Sequence, residues 1–319
     1  MKKIELFLDS GAHSLFMKMT ERGQKTKQFK EDENVWAYAD TQEFWDYADS
    51  YGRYLQENQH LFEVAVNLDV IRNPELTWRM QQYLENKYKV KILPVYHQGS
   101  DPKWLQLYMD NYEYIGIGGL GQFVSRTQWI QYGDRTFAKL CDDKGKPLRK
   151  IHGFAMTSPD LMLRYPWHSV DSTSWLVGEK FGLVIMPRSK QGEYDYSQSP
   201  LMISMTTRPT SKKNSYLNIS SLERDYILRY AKTKFNFDYG KSEFIEVPSN
   251  YKLQQGEFRV DRSSPKSRHI IERVIEPGIG NDMQTRNTMN IDYFVKLGEF
   301  LKENPAVFKP EFTGLGVVK

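Results

Sequence analysis

The chain carries one cysteine, Cys141, in 319 residues. A lone thiol excludes an internal disulfide and any zinc site built from several cysteines, and it makes an intracellular, cytoplasmic location the default expectation. No apolar run reaches the ~20 residues that a bilayer span requires, so no membrane partner is expected. Met1-Lys2-Lys3 leads straight into the first apolar run, which predicts no signal peptide. A dinucleotide fingerprint is also missing. Gly116, Gly118, Gly119 and Gly121 crowd together, but they do not form Gly-x-Gly-x-x-Gly followed by a helix and a ribose-binding acid. No internal repeat or low-complexity tract is present, and neither sign of charge dominates. The 44 Lys and Arg against 40 Asp and Glu give a formal net charge of +4, too little to demand a nucleic-acid partner by itself.

What is there suffices for a core: 39% hydrophobic and 14% aromatic residues exclude a disordered chain. The length suits one large α/β domain or two ordinary ones. The basic residues are unevenly spread. Between Met205 and Lys266 there are 12 Lys and Arg against 7 Asp and Glu, an excess of +5, so the remainder is close to neutral. Lys18, Arg22, Lys25, Lys27 and Lys30 form a second cluster. A solvated surface is the ordinary reading of either cluster alone.

Apolar runs that stop at polar residues mark the strands: Ile4 to Leu8, Phe62 to Asp69, Val90 to Tyr96, Tyr114 to Ile117, Lys150 to Met156 and Ser169 to Asp171. Helical spacing lies between them. Asp40 and Glu43 match a capping box before Phe44, Tyr47, Ala48, Tyr51 and Leu55. Asn73-Pro74 and Asp101-Pro102 each predict a helix start, cap then proline. Further helices are expected from Ser125 to Cys141, after Ser158-Pro159, over Ser221 to Phe235 and over Asn290 to Asn304. The polar stretch Met19 to Asn34 reads as a loop or lid, and Pro248 to Pro277 as basic and irregular. Alternation of strand and helix predicts a parallel sheet with both faces covered. Phe181 to Met186 and Leu201 to Met205 would make eight strands, hence an α/β fold of the TIM-like (β/α)8 barrel type; an open doubly wound sheet is the alternative. The expected division is a barrel core over 1–205, a basic insertion over 206–289 that contacts nucleic acid, and a C-terminal helix over 290–319 packing back on the barrel.

The strand ends gather Asp9-Ser10-Gly11, Asp69, His97-Gln98, Gly118-Gly119-Leu120, His152-Gly153 and Asp171. In a barrel all of these face one mouth. Carboxylates, an amide and a glycine-lined wall suit a planar hydrogen-bonding ligand such as a nucleobase. A divalent metal held by the acids is the competing reading. Each residue also has a plain structural role open to it: Asp9 as a helix cap, His152 as a satisfied packing residue, and His13, His97 and His168 as structural or peripheral.

Asp9-Ser10-Gly11 resembles the Asp-Ser-Gly-Gly motif of tRNA-guanine transglycosylases. Gln98-Gly99 and Ile117-Gly118-Gly119-Leu120 resemble that family's Gln-Gly and Ile-Gly-Gly-Leu. The segment from Lys150 to Leu161 resembles its Gly-x-Gly-Thr-Pro-Glu-Asp stretch, and Val170-Asp171-Ser172-Thr173 its nucleophile segment. The likeness covers roughly residues 4 to 176 and is nearest to the phage branch that inserts 7-deazaguanine derivatives into DNA. Three departures stand out. No cysteine follows Cys141, so the family's zinc subdomain is absent; Ala12 replaces the second glycine; and Asp69-Val70-Ile71 replaces Asp-Glu-Cys.

The resemblance implies base exchange. Asp171 would be the nucleophile at C1′ of a guanosine and Asp9 the general acid and base. Asp69, Gln98, Gly118, Gly119 and Leu120 would hold the base, with His152 stacked over it. Arg164, Arg188, Lys212 and Lys213 would contact phosphate. The implied partners are DNA, or alternatively tRNA, and a free base such as 7-cyano-7-deazaguanine; no cofactor or metal is called for. A phage-encoded enzyme would work in the host cytoplasm. Two further readings remain: a barrel that binds nucleic acid without catalysis, and a metal-dependent barrel hydrolase.

Overall fold

Strands form where the apolar runs were read, but shorter. The computed structural model describes residues 6–19, 37–71, 73–118, 125–156, 158–171, 182–205, 213–260 and 269–309. It divides into two units. One comprises 1–156, 164–171 and 306–319, and the other 157–163 and 172–305. The strands from Leu183 and Leu201, expected in the first unit, therefore belong to the second.

The first unit alternates strand and helix. β1 is Phe7–Leu8, α1 Ala12–Met19, α2 Gln42–Asn58, β2 Val64–Ala65, α3 Pro74–Tyr88, β3 Val95–His97 and α4 Pro102–Asn111. β4 is Tyr114–Gly118, α5 Arg126–Leu140, β5 Lys150–Gly153, and β6 Ser169–Val170. The helix starts follow the local chemistry. Asn73 accepts from the Leu76 N–H with Pro74 next, and Asp101 accepts from the Lys103 N–H with Pro102 next. The start of α2 departs from expectation. Asp40 ends a 3-10 turn, Ala37–Asp40, and the cap is Thr41, whose hydroxyl accepts from the Phe44 N–H.

The strand pairings described in this unit are parallel: β1 with β2, then β3 with β4, β4 with β5 and β5 with β6, with one isolated antiparallel bridge between Cys141 and Pro147. A parallel bridge from Val66 to Leu93 links β2 to the chain entering β3. Spatial order thus follows chain order. Four strand spacings separate β1 from β5, about 19 Å on a flat sheet. Yet the rings of Phe7 on β1 and His152 on β5 stack with centroids 4.4 Å apart. The sheet therefore curls strongly, bringing the inner faces of β1 and β5 together. Outside it, α2 and α3 bury Phe44, Ala48, Leu55, Met80 and Leu84 in one cluster with Leu68 and Val90.

The second unit is built differently. β7, Leu183–Met186, pairs antiparallel with β10, Leu201–Ser204, so these runs are partners of each other and do not continue a parallel series. A β8–β9 hairpin joins Arg188–Lys190 to Glu193–Asp195. The region expected to be irregular holds a three-stranded antiparallel sheet of β11 (Lys241–Glu246), β13 (Ile270–Glu276) and β12 (Glu257–Arg259), in the order β11-β13-β12. Here α6 is Pro159–Arg164, whose last residue falls in the first unit; α7 is Ser221–Phe235 and α8 is Met283–Glu303. The final helix begins seven residues before the expected Asn290 and packs on β7. Buried Asn290 fixes it there, accepting from the Ile185 N–H at 2.8 Å and donating to the Leu183 carbonyl at 3.1 Å. Among the described residues no helix is long and apolar enough to cross a membrane.

Candidate active site at the strand ends

Every parallel strand of the first unit ends in a residue that chemistry can use, and the curl turns those ends toward one another. Asp9 follows β1. Gly11 then turns the chain with φ +72°, and a Cβ there would lie 2.9 Å from the Tyr47 hydroxyl oxygen. That hydroxyl donates to the Ser10 carbonyl at 2.8 Å. Ser10, rather than Asp9, receives the Ala12 N–H as α1 begins. The Asp9 carboxyl reaches solvent, but protein packed around the rest of it raises its pKa above the ordinary 3.8. The carboxylates of Asp69 and Asp171 push in the same direction; the N–H groups of Ser10 and Gly11 offset part of the rise. Asp9, Asp69 and Asp171 therefore share one electrostatic neighbourhood.

Asp69 follows β2. Its Oδ2 lies 2.7 Å from Nε2 of His97, the last residue of β3. A carboxylate can only accept, so Nε2 carries the proton. Nδ1 of the same ring is buried without a hydrogen-bond partner among the described residues. The next residue, Gln98, is 6% exposed; its N–H donates to the Gly118 carbonyl at 2.9 Å, while its Oε1 has no partner among the described residues. An unsatisfied buried acceptor costs about 1–3 kcal/mol, so a strand-end amide left open in this way is suited to a ligand donor. Gly118 itself stands at the end of β4, facing the Phe154 ring.

His152 and Asp171 form the far side. Asp171, after β6, is tied to the turn beyond β5. Its Oδ1 accepts from the Ala155 N–H at 2.9 Å, and its carbonyl accepts from the Met156 N–H at 2.8 Å. Ala155 holds φ +54°, a left-handed conformation unusual for a residue with a Cβ. His152 is 2% exposed, with Phe7 stacked on its face and Phe154 edge-on at 4.5 Å. Its ring face is thus covered by protein rather than presented to a base. Nδ1 bonds Ser169 Oγ at 2.6 Å, and that oxygen also bonds the Tyr114 hydroxyl.

The structure thus brings together Asp9, Asp69, Gln98, Gly118, His152 and Asp171. Gly119, Leu120 and Lys212 lie outside the described residues. Arg164 is engaged elsewhere: its Nε and Nη2 donate to the two carboxylate oxygens of Asp134, 2.7 Å at the shortest, with its side chain only 17% exposed. That ion pair occupies the group expected to meet phosphate. Arg188 and Lys213 are exposed in the second unit, and Arg188 donates to the Ser199 carbonyl. The pairing of His97 with Asp69 and the roles of Phe7, Tyr114, Ala155 and Ser169 were missed from the sequence, because each depends on a strand distant along the chain. Among the described residues no three His, Cys, Asp or Glu side chains gather as a metal-ligand set. Compared with protein-family models, curated proteins and solved structures, the chain matches none.

Proposed function

We propose that the protein is a base-exchange transglycosylase that replaces guanine in DNA with a 7-deazaguanine derivative. The observation that carries the reading is the meeting of the strand ends that bear Asp9 and Asp171, far apart in sequence: Phe7, two residues before Asp9, stacks on His152, whose Nε2 lies 3.5 Å from Asp171 Oδ1. An acid with a raised pKa can hold a proton until a leaving group needs it, while a second carboxylate stays free to attack. The strong curl of six parallel strands supports a (β/α)8-type barrel as the frame.

An oxygen of Asp171 attacks C1′ of a deoxyguanosine. The C1′–N9 bond breaks with its electron pair passing to the purine, which takes the proton of Asp9. Guanine leaves, and the sugar remains as an ester on Asp171. The incoming base then gives its N9 proton to Asp9, N9 bonds C1′, and the Asp171 carboxylate is released. Asp69 and Gln98 hold the edge of each base in turn. Splitting the exchange in this way keeps the configuration at C1′, as in retaining glycosidases.

The test is incubation with duplex DNA, single-stranded DNA or tRNA together with labelled 7-cyano-7-deazaguanine. Label is expected in DNA and not in tRNA. Asp171→Ala should incorporate none while still binding DNA. Label confined to tRNA would move the substrate assignment, and no label in any nucleic acid would refute the reaction.

A further inference from the structure

The His152 ring is buried at the strand ends, held by two aromatic contacts and one hydrogen bond, and one of its nitrogens has no hydrogen-bond partner among the described residues. Phe7 covers one face at 4.4 Å, Phe154 stands edge-on, and Ser169 Oγ holds Nδ1 at 2.6 Å. The remaining nitrogen, Nε2, is buried without a hydrogen-bond partner among the described residues, and Oδ1 of Asp171 is 3.5 Å away. That gap exceeds a good hydrogen bond by a few tenths of an ångström, and such contacts tighten when a reactive complex forms.

The bond chain is compatible with one tautomer that suits the carboxylate: Tyr114 O–H donates to Ser169 Oγ, Ser169 O–H donates to Nδ1, and the ring proton resides on Nε2, facing Asp171. The reverse order would aim a lone pair at a carboxylate oxygen and is electrostatically worse. Asp171 Oδ1 already accepts from the Ala155 N–H, in a turn held at positive φ. Two donors converging on Oδ1 leave Oδ2 as the oxygen free to form the ester.

We propose that His152 is a positioning residue, not a base-stacking one: through Nε2–H it fixes the Asp171 carboxylate so that Oδ2 faces C1′, and Tyr114 and Ser169 hold it in the donor tautomer. This rests on Asp171 being the nucleophile. The ring never touches the sugar or the base; it acts through the carboxylate, the way outer partners orient a catalytic group.

The experiment measures formation of the protein–DNA ester in a single turnover with guanine-containing DNA, quenched in denaturant and resolved by gel. His152→Phe keeps a ring against Phe7 and removes the donor. It should slow ester formation by about 10²-fold, the scale of a misplaced reacting group, with DNA affinity unchanged. His152→Gln restores an N–H toward Asp171 and should recover most of the rate. Circular dichroism checks that each variant is folded. Independently of activity, ¹⁵N spectra of the imidazole at pH 8 should show the Nε2–H tautomer, and Ser169→Ala should mix the two tautomers. A wild-type rate in folded His152→Phe, equal losses in Phe and Gln variants, or an Nδ1–H tautomer would each overturn the proposal. An unaltered protein that forms no ester would remove the nucleophile assignment, and this inference with it. Ester formation indifferent to His152 would remove the positioning role alone.

Discussion

Asp69 and His97 are joined at 2.7 Å across the ends of β2 and β3, with the imidazole 6% and the carboxylate 15% exposed at their side chains. The bond commits Oδ2 and leaves Oδ1 of Asp69 for a ligand. The next residue, Gln98, carries an Oε1 that has no hydrogen-bond partner among the described residues. One carboxylate oxygen and one amide form an acceptor-rich edge, which suits the N–H-rich face of a guanine-like base better than that of adenine.

His97→Phe should keep the ring volume and lose this bond. A hydrogen bond to a charged group contributes about 1.5–3 kcal/mol, so urea unfolding should show a loss of that order. Calorimetry with 7-cyano-7-deazaguanine should show weaker binding, because Asp69 is then free to turn away. Unchanged base affinity in a folded variant would separate Asp69 from the base site.

Gly11 and Tyr47 offer a test of how Asp9 is aimed. Gly11 holds φ +72°, and an added Cβ would meet the Tyr47 oxygen at 2.9 Å. Gly11→Ala should cost about 1–2 kcal/mol from the left-handed backbone alone, with the contact adding to it. In a Tyr47→Phe background the contact is gone and only the backbone cost persists, so a double-mutant cycle should show coupling. A cycle that closes to zero would mean the two residues do not press on each other.

Arg164 is held as a structural cation. Its grip on Asp134, with Tyr165 also donating to that carboxylate, is partly buried. Arg164→Gln leaves Asp134 without its counter-charge and should destabilise by about 3 kcal/mol. It should leave the slope of log affinity against log salt unchanged, since no phosphate contact is lost. Lys213→Ala and Arg188→Ala, by contrast, should each flatten that slope by about one if they meet phosphate. A flattened slope in Arg164→Gln would return it to the DNA-contacting set.

Much of the first unit was legible because its signals are local. Asn73-Pro74 and Asp101-Pro102 carry cap and first-turn proline in adjacent residues, and both open helices as read. The aspartates were legible because an apolar run that stops at an acid marks a strand end, although β1 and β6 are only partly buried. Thr41 was missed because Asp40 and Glu43 match the same cap pattern one residue early, while a 3-10 turn consumes Asp40. The β11-β13-β12 sheet was missed because Lys241 to Glu246 is rich in charge and pairs with a strand distant in the chain. The antiparallel pairing of β7 and β10 was equally invisible, since an apolar run does not reveal its partner's direction. His152 read as a base-stacking residue because Phe7, which covers it, comes from β1.

Asp9 yields a prediction about pH with a definite sign. Its folded pKa is raised above 3.8 by burial and by the charges of Asp69 and Asp171. Between 3.8 and that raised value the folded state holds a proton that the unfolded state has released. The derivative of stability with pH is then negative, so this group favours folding at low pH and disfavours it once pH has risen through the folded pKa. Asp9→Asn removes the titration. The difference in thermal midpoint, variant minus wild type, should therefore grow as pH rises from about 3.8 and level off above the folded pKa. Asp171→Asn should shrink that rise, because one of the charges acting on Asp9 is gone. Base exchange in Asp9→Asn should fall by about 10²–10⁴-fold, the usual loss for a general acid. A pH-independent difference would mean that Asp9 titrates as an ordinary surface carboxylate and holds no proton in reserve for the leaving purine.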